Sequence, residues 1–119
     1  MLVKEIPMVL VFVSDLPRSV AWYQDTLELP LLYQAAGFAS FQVGRQRLAL
    51  HTSEQAGQVN SNSGSIPVLQ VEDYPAAKAT LESRGCQFYF ENTTPNAAFG
   101  SFRDPDGNSL QIMQNLKKE

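Results

Sequence analysis

"VSDLPRSVA" (residues 13–21) and "VEDYPAAKA" (residues 71–79) are two copies of one pattern. Val13, Asp15, Pro17 and Ala21 recur as Val71, Asp73, Pro75 and Ala79, each 58 residues further on. In both copies an apolar run ends at the Val and an Asp follows that can cap a helix by accepting a backbone N–H. A Pro then falls in the first turn, where a missing donor costs nothing. A second signature recurs in the same order. "FASF" (38–41) lies on "FGSF" (99–102) at an offset of 61, and "LAL" (48–50) on "LQI" (110–112) at 62. Two matching signatures in the same order define a tandem duplication, with small loop insertions in the second copy.

Working outward from the first copy, Val9–Val13 is a β-branched apolar run, predicted as a buried strand. Val20, Tyr23, Gln24 and Leu27 share one face of the helix after Asp15, and Pro30 is expected to stop it. Strands are predicted at Leu31–Gln34, Phe38–Val43 and Arg47–His51, with Gly37 and Gly44 in the turns. "SEQAGQVNSNSGS" (53–65) is polar and reads as an exposed linker. The pattern then restarts. "IPVLQV" (66–71) is strand-like, "EDYPAAKATLESRG" (72–85) is a helix closed by Gly85, and strands follow at Gln87–Glu91, Ala97–Arg103 and Ser109–Gln114. The expectation is a single α+β domain of tandem βαβββ modules, residues 1–52 and 65–119, joined by a linker at 53–64.

Composition narrows the function classes. With 44% hydrophobic and 18% charged residues in 119, the chain is long enough to bury a core. A formal net charge of −3 provides no basic field for nucleic acid. The longest apolar run, Ile6 to Val13, contains Pro7 and is too short to span a bilayer, and no signal-peptide cleavage pattern follows it. The single cysteine, Cys86, excludes an internal disulfide and suits a reducing, cytoplasmic setting. It begins the apolar run "CQFYF" and is expected to be a packed core thiol.

"FRDPDGNSLQIM" (102–113) raises the question of a metal loop. A calcium loop of the EF-hand type needs Gly at its sixth position and Glu at its twelfth; counted from Asp104, Gly107 is fourth and Asn115 twelfth. Pro followed by Asp-Gly-Asn is turn chemistry, so Asp104 to Asn108 are expected to form a hairpin turn.

The duplicated module, with Val13, Asp15, Ser19 and Tyr23 at its opening and Phe102 with Asp104–Asn108 before its last strand, resembles the vicinal oxygen chelate superfamily. That group includes glyoxalases, bleomycin-resistance proteins and extradiol dioxygenases. The resemblance covers essentially the whole chain. It implies two curved four-stranded mixed sheets around a cleft, with helices outside. One departure is Glu28, which stands where relatives have a helix-ending Gly.

Metal-dependent relatives place four ligands on cleft-facing strand positions, which fall here on Met8, Ala49, Ile66 and Gln111. None is an anionic or imidazole donor of the kind a hard dication needs. The resemblance therefore implies no metal and no cofactor. The cleft face implied by strand alternation comprises Met8, Leu10, Phe12, Ala49, His51, Ile66, Val68, Gln70, Gln111 and Met113. Apolar walls with a few polar groups suit a small-molecule site.

Three readings follow from this face. The leading one is a metal-independent binder of an apolar or amphipathic, antibiotic-like ligand. The second is a lyase or isomerase of the glyoxalase type, with an unusual metal site or acid–base chemistry by His51, the only histidine. The third is a scaffold whose cavity is filled. Relatives of this length imply a homodimer. The aromatic pair Trp22–Tyr23 is read as core or subunit interface rather than a ligand stack.

Overall fold

The computed structural model describes residues 1–52 and 64–117, so the expected linker lies outside the described residues except for Gly64. The chain divides into two compact units, Met1–Asn60 and Ser61–Glu119. The first holds β1 (Met8–Val13), α1 (Leu16–Asp25), β2 (Leu31–Ala35), β3 (Phe38–Val43) and β4 (Gln46–Thr52). The second holds β5 (Val68–Gln70), α2 (Tyr74–Ser83), β6 (Phe90–Thr93), β7 (Ala97–Arg103) and β8 (Ser109–Asn115). Each unit is thus one βαβββ module.

The two Asp caps act as the repeat predicts. Asp15 Oδ1 accepts from the Arg18 N–H at 3.1 Å, and Asp73 Oδ1 from the Ala76 N–H at 3.0 Å. Such caps contribute about 1 kcal/mol each. The helix ends differ. At α2, Gly85 takes φ 96°, and the Cys86 and Gly85 N–H groups donate to the Leu81 and Glu82 carbonyls at 3.0 Å. This is a Schellman closure.

α1 ends at Asp25, five residues before Pro30 rather than at it. The Thr26 N–H still donates to the Trp22 carbonyl, but Glu28 adopts φ 60° and the Leu29 N–H turns back to the Tyr23 carbonyl at 3.2 Å. The left-handed residue stops the helix before proline can. Leu27 therefore falls outside α1 and Gln24 is exposed; the buried face is Leu16, Ser19, Val20 and Tyr23.

Each module forms a four-stranded sheet, in the orders β1-β4-β3-β2 and β5-β8-β7-β6. β1 pairs parallel to β4 and β5 parallel to β8, while the remaining pairs are antiparallel. α1 packs on β3 and β4, and α2 on β7 and β8. Under α1 lie Val11, Val13, Ala39, Phe41, Leu48 and Leu50, all buried. Tyr23 is fully buried and stacks on Phe41 at 6.0 Å, so it is core; Trp22 meets it edge-on at 5.0 Å. Under α2 lie Ala98, Phe102, Leu110 and Ile112.

Two strands depart from expectation. β5 starts at Val68, leaving Ile66 in irregular backbone before Pro67, whose carbonyl accepts from the Gln111 N–H at 3.0 Å. β6 starts at Phe90 rather than Gln87. Phe88 turns under α2, edge-on to Tyr74 at 6.5 Å and 5.1 Å from Phe102, which breaks strand alternation there.

The "DPDGN" segment is a turn. Asp104 is buried; its Oδ1 accepts from the Asp106 and Asn108 N–H groups at 2.9 and 2.8 Å. Its Oδ2 accepts from Asn108 Nδ2 at 3.0 Å, and Gly107 supplies φ 87°. The carboxylate is consumed by the turn it builds. No described helix is long and apolar enough to cross a membrane.

Two tests follow from these contacts. A Cβ at Gly100 would collide with the Tyr74 hydroxyl and lie 2.9 Å from Phe88 Cδ2. Gly100→Ala should cost about 1–3 kcal/mol in urea unfolding, and less in a Tyr74→Phe background, because the colliding oxygen is gone. Glu28→Gly should be about 1 kcal/mol more stable than Glu28→Ala, since only glycine occupies φ 60° without steric penalty.

Candidate functional site

With a helix on one side, each sheet has a second face, and the strand registers specify what stands on it. In the first module, cross-strand neighbours form three rows. Met8 pairs with Arg47 and Arg47 with Gln42; Leu10 pairs with Ala49, Ala49 with Ser40 and Ser40 with Tyr33; Phe12 pairs with His51 and His51 with Phe38. Sequence alternation placed Met8, Leu10, Phe12, Ala49 and His51 on one face, and the structure brings these five together.

The third row is aromatic. His51 meets Phe12 at 6.1 Å and Phe38 at 6.2 Å, edge-on to both, and Tyr33 lies 6.2 Å from Phe38. Leu10 is 44% and Tyr33 58% exposed, so they add apolar surface beside this row. His51 Nδ1 contacts the Thr52 carbonyl. A carbonyl only accepts, so Nδ1 carries the proton and, in the neutral ring, Nε2 is the acceptor.

The second module repeats the plan. Val68 pairs with Gln111, Gln111 with Ser101 and Ser101 with Phe90; Gln70 pairs with Met113 and Met113 with Phe99. Phe90 and Phe99 lie 6.0 Å apart, and Val68 and Phe90 are half-exposed. Gln111 Nε2 donates to Ser101 Oγ at 3.2 Å, fixing the amide and leaving its carbonyl as acceptor. Val68, Gln70, Gln111 and Met113 thus share a face, and Ile66 precedes it outside the strand.

Tyr33, Phe38, Phe90 and Phe99 were missed as site candidates. The signal was present, because Phe38 and Phe99 head the repeated "FASF" and "FGSF", and Ser40 and Ser101 are their third residues. Reading the hairpin registers from the repeat would have added them.

The four ligand positions do not fit a divalent metal. Ile66 and Ala49 have no donor atom, Met8 offers a thioether, and Gln111 offers a neutral amide carbonyl in place of a carboxylate. Among the described residues, no three of His, Cys, Asp and Glu come together as a metal-holding group.

A different concavity of about 500 Å³ lies within the second module, lined by Tyr74, Lys78, Glu82, Glu91, Thr93 and Gln114 among others. Lys78 forms an ion pair with Glu91 there, and that hydrogen bond raises the Lys78 pKa. Gln114 Oε1 accepts from the Tyr74 N–H at 2.8 Å, satisfying the first turn of α2. Burial, then the Glu91 charge, pushes the Tyr74 hydroxyl up from 10.0. Cys86 is buried, as its sequence context predicts, and burial pushes its thiol above 9.0.

Residues 5–112 match the model of the Glyoxalase/Bleomycin resistance protein/Dioxygenase superfamily, and the chain belongs to that superfamily. Its fold is similar to that of TnmS3, an antibiotic binding protein from Streptomyces sp. CB03234, at 24% identity and TM-score 0.81, covering 97% of this chain and 98% of that one. It is also similar to a superfamily member from Sphaerobacter thermophilus DSM 20745 (20% identity, TM-score 0.81, 97% and 100% covered). A lactoylglutathione lyase from Agrobacterium tumefaciens matches at 20% identity and TM-score 0.74, with 93% of each chain covered. A comparison with curated proteins finds no match.

The raised Cys86 and Tyr74 pKa values have a thermodynamic consequence. Both groups hold their protons more tightly when folded, so the unfolded chain binds fewer protons at alkaline pH and stability falls as pH rises through 9.0. Urea unfolding should show this decline, and Cys86→Ala should flatten its first part. Native Cys86 should also react with iodoacetamide far more slowly than in urea.

Proposed function

We propose that this protein binds a small, largely aromatic or amphipathic molecule without a metal, and sequesters it rather than transforming it. The observation that carries the reading is the pair of partly exposed aromatic sheet faces, Leu10–Phe12–Tyr33–Phe38–His51 and Val68–Phe90–Phe99–Met113. The four ligand positions agree in chemistry: Met8, Ala49, Ile66 and Gln111 offer contact surface and one amide in place of carboxylate and imidazole donors. Binding of antibiotic by TnmS3, a protein of the same fold, supports the class of ligand.

On the first module the proposed binding face comprises Met8, Leu10, Phe12, Ala49 and His51, with Tyr33 and Phe38 added by register; on the second it comprises Ile66, Val68, Gln70, Gln111 and Met113, with Phe90 and Phe99 added. Assembly as a homodimer is part of the proposal and rests on the resemblance to relatives of this length alone. The proposed setting is the cytoplasm, in keeping with one reduced cysteine.

A second reading rests on His51, whose Nε2 acceptor would serve as a general base in a lyase or isomerase. One set of measurements separates the two. Protein purified without chelator should carry less than about a tenth of an equivalent of divalent metal. A panel of aromatic antibiotics should contain a compound that raises the melting temperature by roughly 10 °C at one hundred times its Kd. Phe12→Ala and Phe38→Ala should each weaken that compound about tenfold. Near-stoichiometric metal, or glyoxalase activity abolished by His51→Ala, would overturn the binding reading.

A further inference from the structure

Charge is distributed unevenly over the eight strands of the described residues. They contain three charged residues: Glu91, Arg47 and Arg103. Glu91 stands on the helix side, in register with Gly100 and paired to Lys78 of α2. The two arginines stand on the other faces. Arg47 precedes the buried, helix-facing Leu48 and is in register with Met8 and Gln42. Arg103 follows the buried, helix-facing Phe102 and is in register with Ser109.

Both arginines lie in inner strands, β4 and β7, rather than at sheet edges where charges protect against unwanted pairing. Each is at the same end of its module's face, one row beyond the Ala49 or Gln111 row. A chain of formal net charge −3 thus presents, on two faces built of apolar, aromatic and amide groups, only positive strand charges.

Arg47 and Arg103 are not equivalent. Arg103 lies over the Tyr89 ring at 4.0 Å, and the Tyr89 hydroxyl donates to Ser109 Oγ at 3.0 Å, so its guanidinium is stacked in place. Arg47 is exposed and borders Met8 and Gln42, with the aromatic row Phe12–His51–Phe38 four residues along the strand. At about 3.3 Å per residue that row is roughly 13 Å away between Cα atoms, and the arginine side chain spans part of the distance. A ring system on the aromatic row would bring an acidic substituent within reach of Arg47. A guanidinium fork matches a carboxylate in two parallel hydrogen bonds.

We infer that the ligand is an acidic aromatic compound whose ring system lies on Phe12, Phe38 and His51 and whose acidic group is held by Arg47. The inference rests on the binding reading above and specifies its ligand. The probes are pyrenebutyrate and its uncharged primary amide, followed by fluorescence titration against the intact protein at low salt. The acid should bind at least tenfold more tightly than the amide, and the preference should shrink with added salt. Arg47→Gln should reduce it to about twofold or less, by weakening the acid far more than the amide, with the melting temperature unchanged.

The two levels of reading fail separately. If the amide binds wild-type protein as tightly as the acid, the face takes aromatic molecules but the acidic class is wrong. If Arg103→Gln abolishes the preference and Arg47→Gln preserves it, the assignment of Arg47 is overturned. If neither probe binds, the aromatic-face reading falls and this inference with it.

Discussion

The parallel pairing of the first and last strands of each module governs the rest of the structure. β1 and β4, like β5 and β8, run side by side in the same direction, which no tight hairpin can produce. The chain must cross over between them, and in each module it does so through a ten-residue helix followed by an antiparallel hairpin. The helix then covers one sheet face only. That asymmetry separates packing residues from the residues available to a ligand, and both modules inherit it from the same junction, an Asp cap followed by Pro.

Which residues fall on each side follows from register rather than identity. In β4, Leu48 and Leu50 pack beneath α1, while Arg47, Ala49 and His51 alternate with them on the other face. A one-residue slip would bury Arg47 and His51 and expose both leucines, a penalty large enough to fix the pairing. The turn built by Asp104 serves the same end in the second module. Its buried carboxylate gathers two backbone N–H groups and the Asn108 amide, so β7 enters β8 with Ser101 opposite Gln111.

Most of this architecture was legible in the sequence because it is written twice. One copy of Asp-x-Pro is a weak signal; two copies 58 residues apart, each after an apolar run, define strand and helix together. The departures occur where tertiary contacts override local pattern. Glu28 ends α1 through a left-handed backbone that sequence associates with glycine, so Pro30 was the wrong marker. Phe88 leaves strand alternation because Tyr74 and Phe102 hold it under α2. On the candidate site, alternation along β1, β4, β5 and β8 was readable, whereas Tyr33, Phe38, Phe90 and Phe99 enter through hairpin registers that single-strand periodicity does not specify.

Replacement of the ligand-position side chains also alters the electrostatics that a bound molecule would meet. A site built to hold a dication carries carboxylates whose mutual repulsion the metal relieves, and it disfavours an anion once the metal is absent. Met8, Ala49, Ile66 and Gln111 carry no charge, so nothing at those positions opposes a negative group. The strand charges left on the two faces are then Arg47 and Arg103. An acidic aromatic molecule would meet attraction at one end of the face and rings at the other, and the two features act at positions several residues apart on the same strand. The proposed loss of metal binding and the proposed preference for an anion are therefore linked by one physical cause: removing fixed negative charge from an aromatic face lets an existing arginine determine the sign of what the face accepts.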